Sequence, residues 1–87
     1  MAHTVVLKSI REIDLNIFHF PQIAIYNKPE DYPDKSVARV FDGGQPTNVV
    51  MVADDPETLR ADIRKYTNLV WFTRGKEDVP VLVGVYL

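Results

Sequence analysis

Apolar residues fall along this chain in short β-branched runs separated by polar turns, and only one stretch changes from a period of two to a helical period. Val5, Val6 and Leu7 predict a strand within His3–Ser9. The next segment, Arg11–Phe20, supports two patterns. Ile13, Leu15 and Ile17 alternate with Asp14 and Asn16 as a strand would, yet Ser9 and Glu12 have the spacing of a capping box, and Ile10, Ile13 and Ile17 share a helical face. A short helical turn is the reading adopted. Pro21 breaks the chain, and Ile23–Tyr26 predicts a second strand. Asn27–Asp34, with Pro29, Tyr32 and Pro33, is a loop. Lys35–Phe41 and Thr47–Ala53 then predict a β-hairpin, joined by a turn over Asp42–Pro46 whose two glycines accept positive φ without a Cβ clash.

The period changes at Asp55. That residue is a natural N-cap, Pro56 suits the first helical position, and Glu57 complements the positive end of the dipole. Leu59, Ile63, Tyr66 and Val70 form one apolar stripe at helical spacing, and Glu57–Arg60 and Asp62–Lys65 are spaced as surface pairs. Thr67-Asn68 ends the helix. Leu69–Thr73 predicts a short strand, Arg74–Asp78 a turn, and Val81–Leu87 a last strand. The fold class is α+β: one domain over residues 1–87, with a mostly antiparallel sheet of about five strands and one main helix on one face.

One helix covers one face of such a sheet, and the other face of an antiparallel sheet normally alternates to polar. Here it does not. Val49 and Met51 oppose Val50 and Val52; Val37 and Phe41 oppose Ala38 and Val40; Val81, Val83, Val85 and Leu87 oppose Leu82 and Tyr86. Two arrangements satisfy a second apolar face. In one, the N-terminal segment with Ile17, Phe18 and Phe20 folds over it; in the other, it meets a second copy or a protein partner. The chain has little else with which to cover that face, so self-association, as a dimer, is the expectation.

Composition narrows the setting. The chain is 46% hydrophobic and 25% charged, which argues against disorder. A net charge of −2 with no block of like charges argues against a nucleic-acid partner, whose affinity comes from neutralised phosphates. With no cysteine there is neither a disulfide framework nor a thiolate metal site, and an intracellular, cytoplasmic address is expected. The Met1-Ala2-His3-Thr4 start lacks a basic region and the apolar run after it stops at Lys8, so no secretory signal and no membrane association are expected.

No cofactor is expected, and the candidates for chemistry are few. His19, between Phe18 and Phe20, has a neutral-pH imidazole but no nucleophile at a readable spacing, and is expected in or near an apolar cluster rather than in catalysis. Asp54-Asp55 is explained by the helix cap. Glu30, Asp31 and Asp34 lack the spacing and central glycine of an EF-hand. Gly43-Gly44 joins strand to strand, unlike a phosphate-binding loop. Arg39 lies mid-strand with Val37 and Phe41, where a charge needs a partner or water, and is a candidate anchor for a carboxylate or phosphate. Tyr32, Trp71 and Arg74 are of the residue types enriched in binding hot spots and complete the candidate set.

The blocks from Pro29 to Ile63 (PEDYPDKSVARVFD, then QPTNVVMVADDPETLRADI) and from Arg74 to Leu87 (RGKEDVPVLVGVYL) resemble a group of small uncharacterised bacterial proteins. Those share a Pro-x-Asp-Tyr/Phe-Pro segment, an arginine-bearing strand, a Pro-Thr turn, an acid-capped helix and an Arg-x-x-x-Asp-x-Pro tail. The resemblance implies a bacterial cytoplasmic domain, and since no activity is assigned to the group it implies no function. The expected function is a non-enzymatic interaction module working through an apolar sheet face or edge. A small-ligand or anion-binding regulatory domain using Arg39 and Arg74 is the alternative.

Overall fold

A computed structural model describes residues 3–75 and 81–87. In chain order the elements are β1 (Val5–Leu7), β2 (Pro21–Asn27), β3 (Ser36–Asp42), β4 (Gln45–Ala53), α1 (Pro56–Tyr66), β5 (Trp71–Thr73) and β6 (Leu82–Tyr86). The strands form one sheet in the order β1-β4-β3-β2-β6-β5. β1 runs parallel to β4, and each other neighbouring pair is antiparallel. The fold is α+β as expected, with six strands in a mixed sheet rather than about five. Of the turn expected over Arg74–Asp78, the part from residue 76 lies outside the described residues.

The hairpin closes more tightly than expected. Gly43 (φ 58°) and Gly44 (φ 85°) are the two central residues of the turn, the backbone signature of a type I′ hairpin, so Gln45 and Pro46 belong to β4. Pro46 is tolerated there because β1 pairs with β4 only from Val49 to Met51, which leaves the start of β4 a local edge.

α1 begins as its sequence predicts: the Asp55 carboxylate accepts from the Thr58 N–H at 2.8 Å. Leu59 and Ile63 are buried in the main core with Ile23, Ile25, Val40 and Met51. The stripe stops there. Thr67 turns the chain by donating both its N–H and its hydroxyl to the Ile63 carbonyl, at 2.9 and 2.8 Å. Tyr66 is left exposed, and Val70 exchanges backbone hydrogen bonds with Leu87 at the sheet edge. Glu57 and Arg60 stand 3.7 Å apart as expected. Asp62 does not serve Lys65: it accepts from Ser9 Oγ at 2.8 Å and from the Ile10 N–H at 2.7 Å.

That Asp62 contact decides where the N-terminal segment goes. The capping box of Ser9 and Glu12 forms, and two single 3₁₀ turns, Ile10–Glu12 and Leu15–Ile17, replace any strand. Ile10 is buried in the core beside α1, and Ile13, Leu15 and Phe18 pack against the same core. The segment therefore covers the helix side of the sheet. The arrangement in which it folds over the opposite face is excluded.

β6 carries the other correction. Tyr26 pairs with Leu82 and Ile25 with Gly84, so a β-bulge places one extra residue in β6. Beyond it the alternation inverts. Leu82 joins Val85 on the face away from α1, and Val83 packs toward the helix-side core with Tyr86.

Candidate functional site

The face away from α1 is the main feature of this molecule that its own described elements leave uncovered. The pairing sets one row straight across all six strands of that face: Val6, Val50, Arg39, Ala24, Val85 and Phe72. Beside it Val37, Tyr26 and Leu82 form a second row, and Phe41 faces Gln22 toward the hairpin turn. Val6 and Phe72, at opposite ends of the first row, are 57% and 52% exposed. Around Ala24 the face is concave, a groove of about 270 Å³ lined by Gln22, Ala24, Tyr26, Phe41, Leu82 and Val85, with Gly44 at its end. None of these lining side chains is charged. The groove exists because the smallest side chain of the row, Ala24, stands between larger ones.

Arg39 lies on this face as expected, and its charge is partnered. A guanidinium nitrogen donates to Asp31 at 2.7 Å, drawing the side chain along β3 toward the Lys28–Lys35 loop. Val37, the residue on this face between Arg39 and that loop, is fully buried, as an arginine stem laid over it requires. Tyr32, half-buried, sits next to Asp31 in a turn closed by its N–H donating to the Pro29 carbonyl at 3.0 Å.

The other two candidates are elsewhere. Trp71 points to the helix side, its ring 4.9 Å from that of Tyr86 and beneath the Arg60 guanidinium at 3.9 Å. Arg74 is exposed past the end of β5 and donates to the Gly75 carbonyl at 3.4 Å. The structure thus brings Arg39 and the Tyr32 loop together and separates both from Trp71 and Arg74. Arg39 is on β3, and Arg74 follows β5, three strand positions away.

A cleft of about 700 Å³ lies between the two 3₁₀ turns and the end of α1. Ile10, Ile13, Leu15, Phe18 and Leu69 supply its apolar wall, and Asp14, Asn16 and His19 are among its polar groups. His19 lies near an apolar cluster, as expected, but is exposed: Phe18 packs against the core and the imidazole stands on this cleft. Nearby Asp14 and Asp42 accept backbone hydrogen bonds from Asn16 and Phe20, at 2.9 and 2.8 Å. Among the described residues no three His, Asp or Glu side chains gather in a way that would hold a metal ion, and no helix is long and apolar enough to cross a membrane.

Two exposed ionisable groups are tuned. Hydrogen bonds from the Thr58 N–H and hydroxyl hold the Asp55 carboxyl below its usual value. Its hydrogen bond and ion pair with Asp54 hold the Lys35 ammonium above its own. Both secure the junctions around α1 and β3, and neither faces a cleft.

Sequence reasoning missed Ala24, Val85, Leu82 and Phe72 as partners in one surface. Their signal was the failure of alternation, but assembling it requires the strand order and the β6 bulge. Comparison with family models, with curated proteins and with solved structures gave no match.

Proposed function

We propose that this chain is a non-enzymatic interaction module whose open sheet face docks against a protein surface. One observation carries the reading. A continuous row crosses six strands with a single charged member, Arg39, which its own loop neutralises; its ends, Val6 and Phe72, are exposed, while Val50 and Ala24 between them are buried. Exposed apolar side chains beside an uncharged groove fit a protein contact site. The ion pair of Arg39 with Asp31 weighs against an anion held by Arg39 and Arg74 together, because the guanidinium already has its carboxylate. A cytoplasmic bacterial setting belongs to the same proposal and rests on the cysteine-free composition and the resemblance described above.

The test is position-specific photo-crosslinking in cells of the source organism. A benzophenone side chain at Phe72 or Phe41, on the open face, is expected to form protein adducts. The same group at Ile17, exposed on the helix side, is expected to form none. Adducts from Ile17 alone, or from no position, overturn the proposal.

A further inference from the structure

The open face carries both halves of a complementary contact. Phe72 is its most exposed aromatic side chain, and the groove over Ala24 lies on the same row, two strands away. Resting on the docking reading above, we infer that the occupant of this face is a second copy of the chain. Phe72 of each copy enters the Ala24 groove of the other, about a two-fold axis that runs along β6 beside Val85.

The geometry is self-consistent. An axis parallel to the strands at β6 exchanges β5 with β2, so it sets Phe72 over Ala24, Val85 over Val85, and Ala24 over Phe72. Largest meets smallest on the row, as interdigitating layers about 10 Å apart require. Aromatic anchors in pockets are also what dominate such interfaces. Charge agrees as well. The groove lining has no charged side chain, the chain carries only −2, and β3 lies outside the exchanged pair of strands, so Arg39 and Asp31 keep their solvated pairing at the margin. β2, with seven residues, and three strands of contact give a flat footprint of at most about 14 by 23 Å, or roughly 330 Å² per copy before side-chain corrugation. That is smaller than a standard specific interface, so the dimer is weak and reversible.

The experiment is sedimentation equilibrium of the purified chain from micromolar to millimolar concentration. The expected mass rises toward twice the 9.9 kDa chain. Phe72→Lys removes the knob at an exposed position, so it should raise the dissociation constant at least tenfold while leaving the melting temperature unchanged. Val6→Lys, equally exposed but at the far edge, should leave association unchanged. Ala24→Val fills the groove and should also give monomers. Mixed with Phe72→Lys chains it should regain association, because one intact knob and one intact groove then meet. A monomer at all concentrations, or a mixture no more associated than its parts, overturns the inference; should Ala24→Val not fold, the contrast between Phe72→Lys and Val6→Lys decides alone. If the purified chain is monomeric while Phe72 cross-links to another protein in cells, self-docking falls and the docking function stands. If cross-links also fail, both fall.

Discussion

Gly84→Ala is the substitution whose consequence follows most directly from the packing. Gly84 lies in β6 opposite Thr73, beneath the Trp71 indole. A Cβ there would stand inside van der Waals contact with Trp71 Cη2 and Cζ2, and 2.6 Å from the Phe72 carbonyl oxygen. Ordinary contact starts at 3.4 Å, so the strand must yield by about 0.8 Å and the ring by more. The carbonyl belongs to the β5–β6 ladder and cannot rotate away. The indole is held between Tyr86 and the Arg60 guanidinium, and its Nε1 donates to Thr73 Oγ1 at 3.1 Å. Overpacking of this kind costs about 1–3 kcal/mol, and expelling the ring instead forfeits an aromatic pair and a cation–π contact of similar total. At about 4–8 °C per kcal/mol for a domain of this size, a central cost of about 2 kcal/mol lowers the melting temperature by about 8–16 °C. Trp71 is the sole tryptophan, so thermal and urea unfolding followed by its fluorescence read the site itself. In a Trp71→Leu background the same substitution should cost less, which isolates the ring's share. A melting temperature within about 2 °C of the parent, with unchanged emission, would refute the packing described for this corner.

Asp62→Ala should release the N-terminal segment, because it removes the acceptor for Ser9 Oγ and the Ile10 N–H. The expected loss is about 1.5–3 kcal/mol, with faster hydrogen exchange at Ile10 than at Ile63; unchanged exchange at Ile10 would contradict the tether. Stability should also fall at both extremes of pH. The Asp55 carboxyl is lowered from 3.8, so its stabilisation is complete above that value and disappears as pH falls through its folded value. Lys35 is raised from 10.5, so its contribution is complete below that value and disappears as pH rises through its folded one. Melting curves should show Asp55→Asn flattening the acid limb and Asp54→Asn the alkaline limb, the latter effect shrinking in high salt.

The elements legible in the sequence are those specified by neighbours. Gly43-Gly44 between two β-branched runs sets the hairpin, and Asp55-Pro56 sets the helix start, because turn and cap chemistry act over two or three residues. The helix end at Thr67 is legible as well; what the spacing misjudges is the apolar stripe that runs past it. Tyr66 and Val70 continue the spacing of Leu59 and Ile63, but the Thr67 hydroxyl bonds back to Ile63 and the chain leaves the axis. The face of Leu82 was unreadable because a bulge inverts a period-two pattern without altering composition. Asp62 and Arg39 show the limit most sharply. Each is charged and well placed for a local partner or for water, yet each is tied up by a residue set by tertiary structure, Asp62 by Ser9 and Arg39 by Asp31 across a loop. Of the four residues chosen from sequence, only Arg39 lies on the open face. The groove beside it is made by an alanine, a residue type that carries no signal on its own.

The most direct measurement is hydroxyl-radical footprinting of the purified chain, read by mass spectrometry, below and above the concentration at which its mass doubles. Phe72, Tyr26 and Phe41 should lose reactivity together as concentration rises, while Tyr66, exposed on the helix side, stays constant. Constant reactivity on the open face, or protection at Tyr66 in its place, would contradict the central claim that this face is where the chain makes its contact.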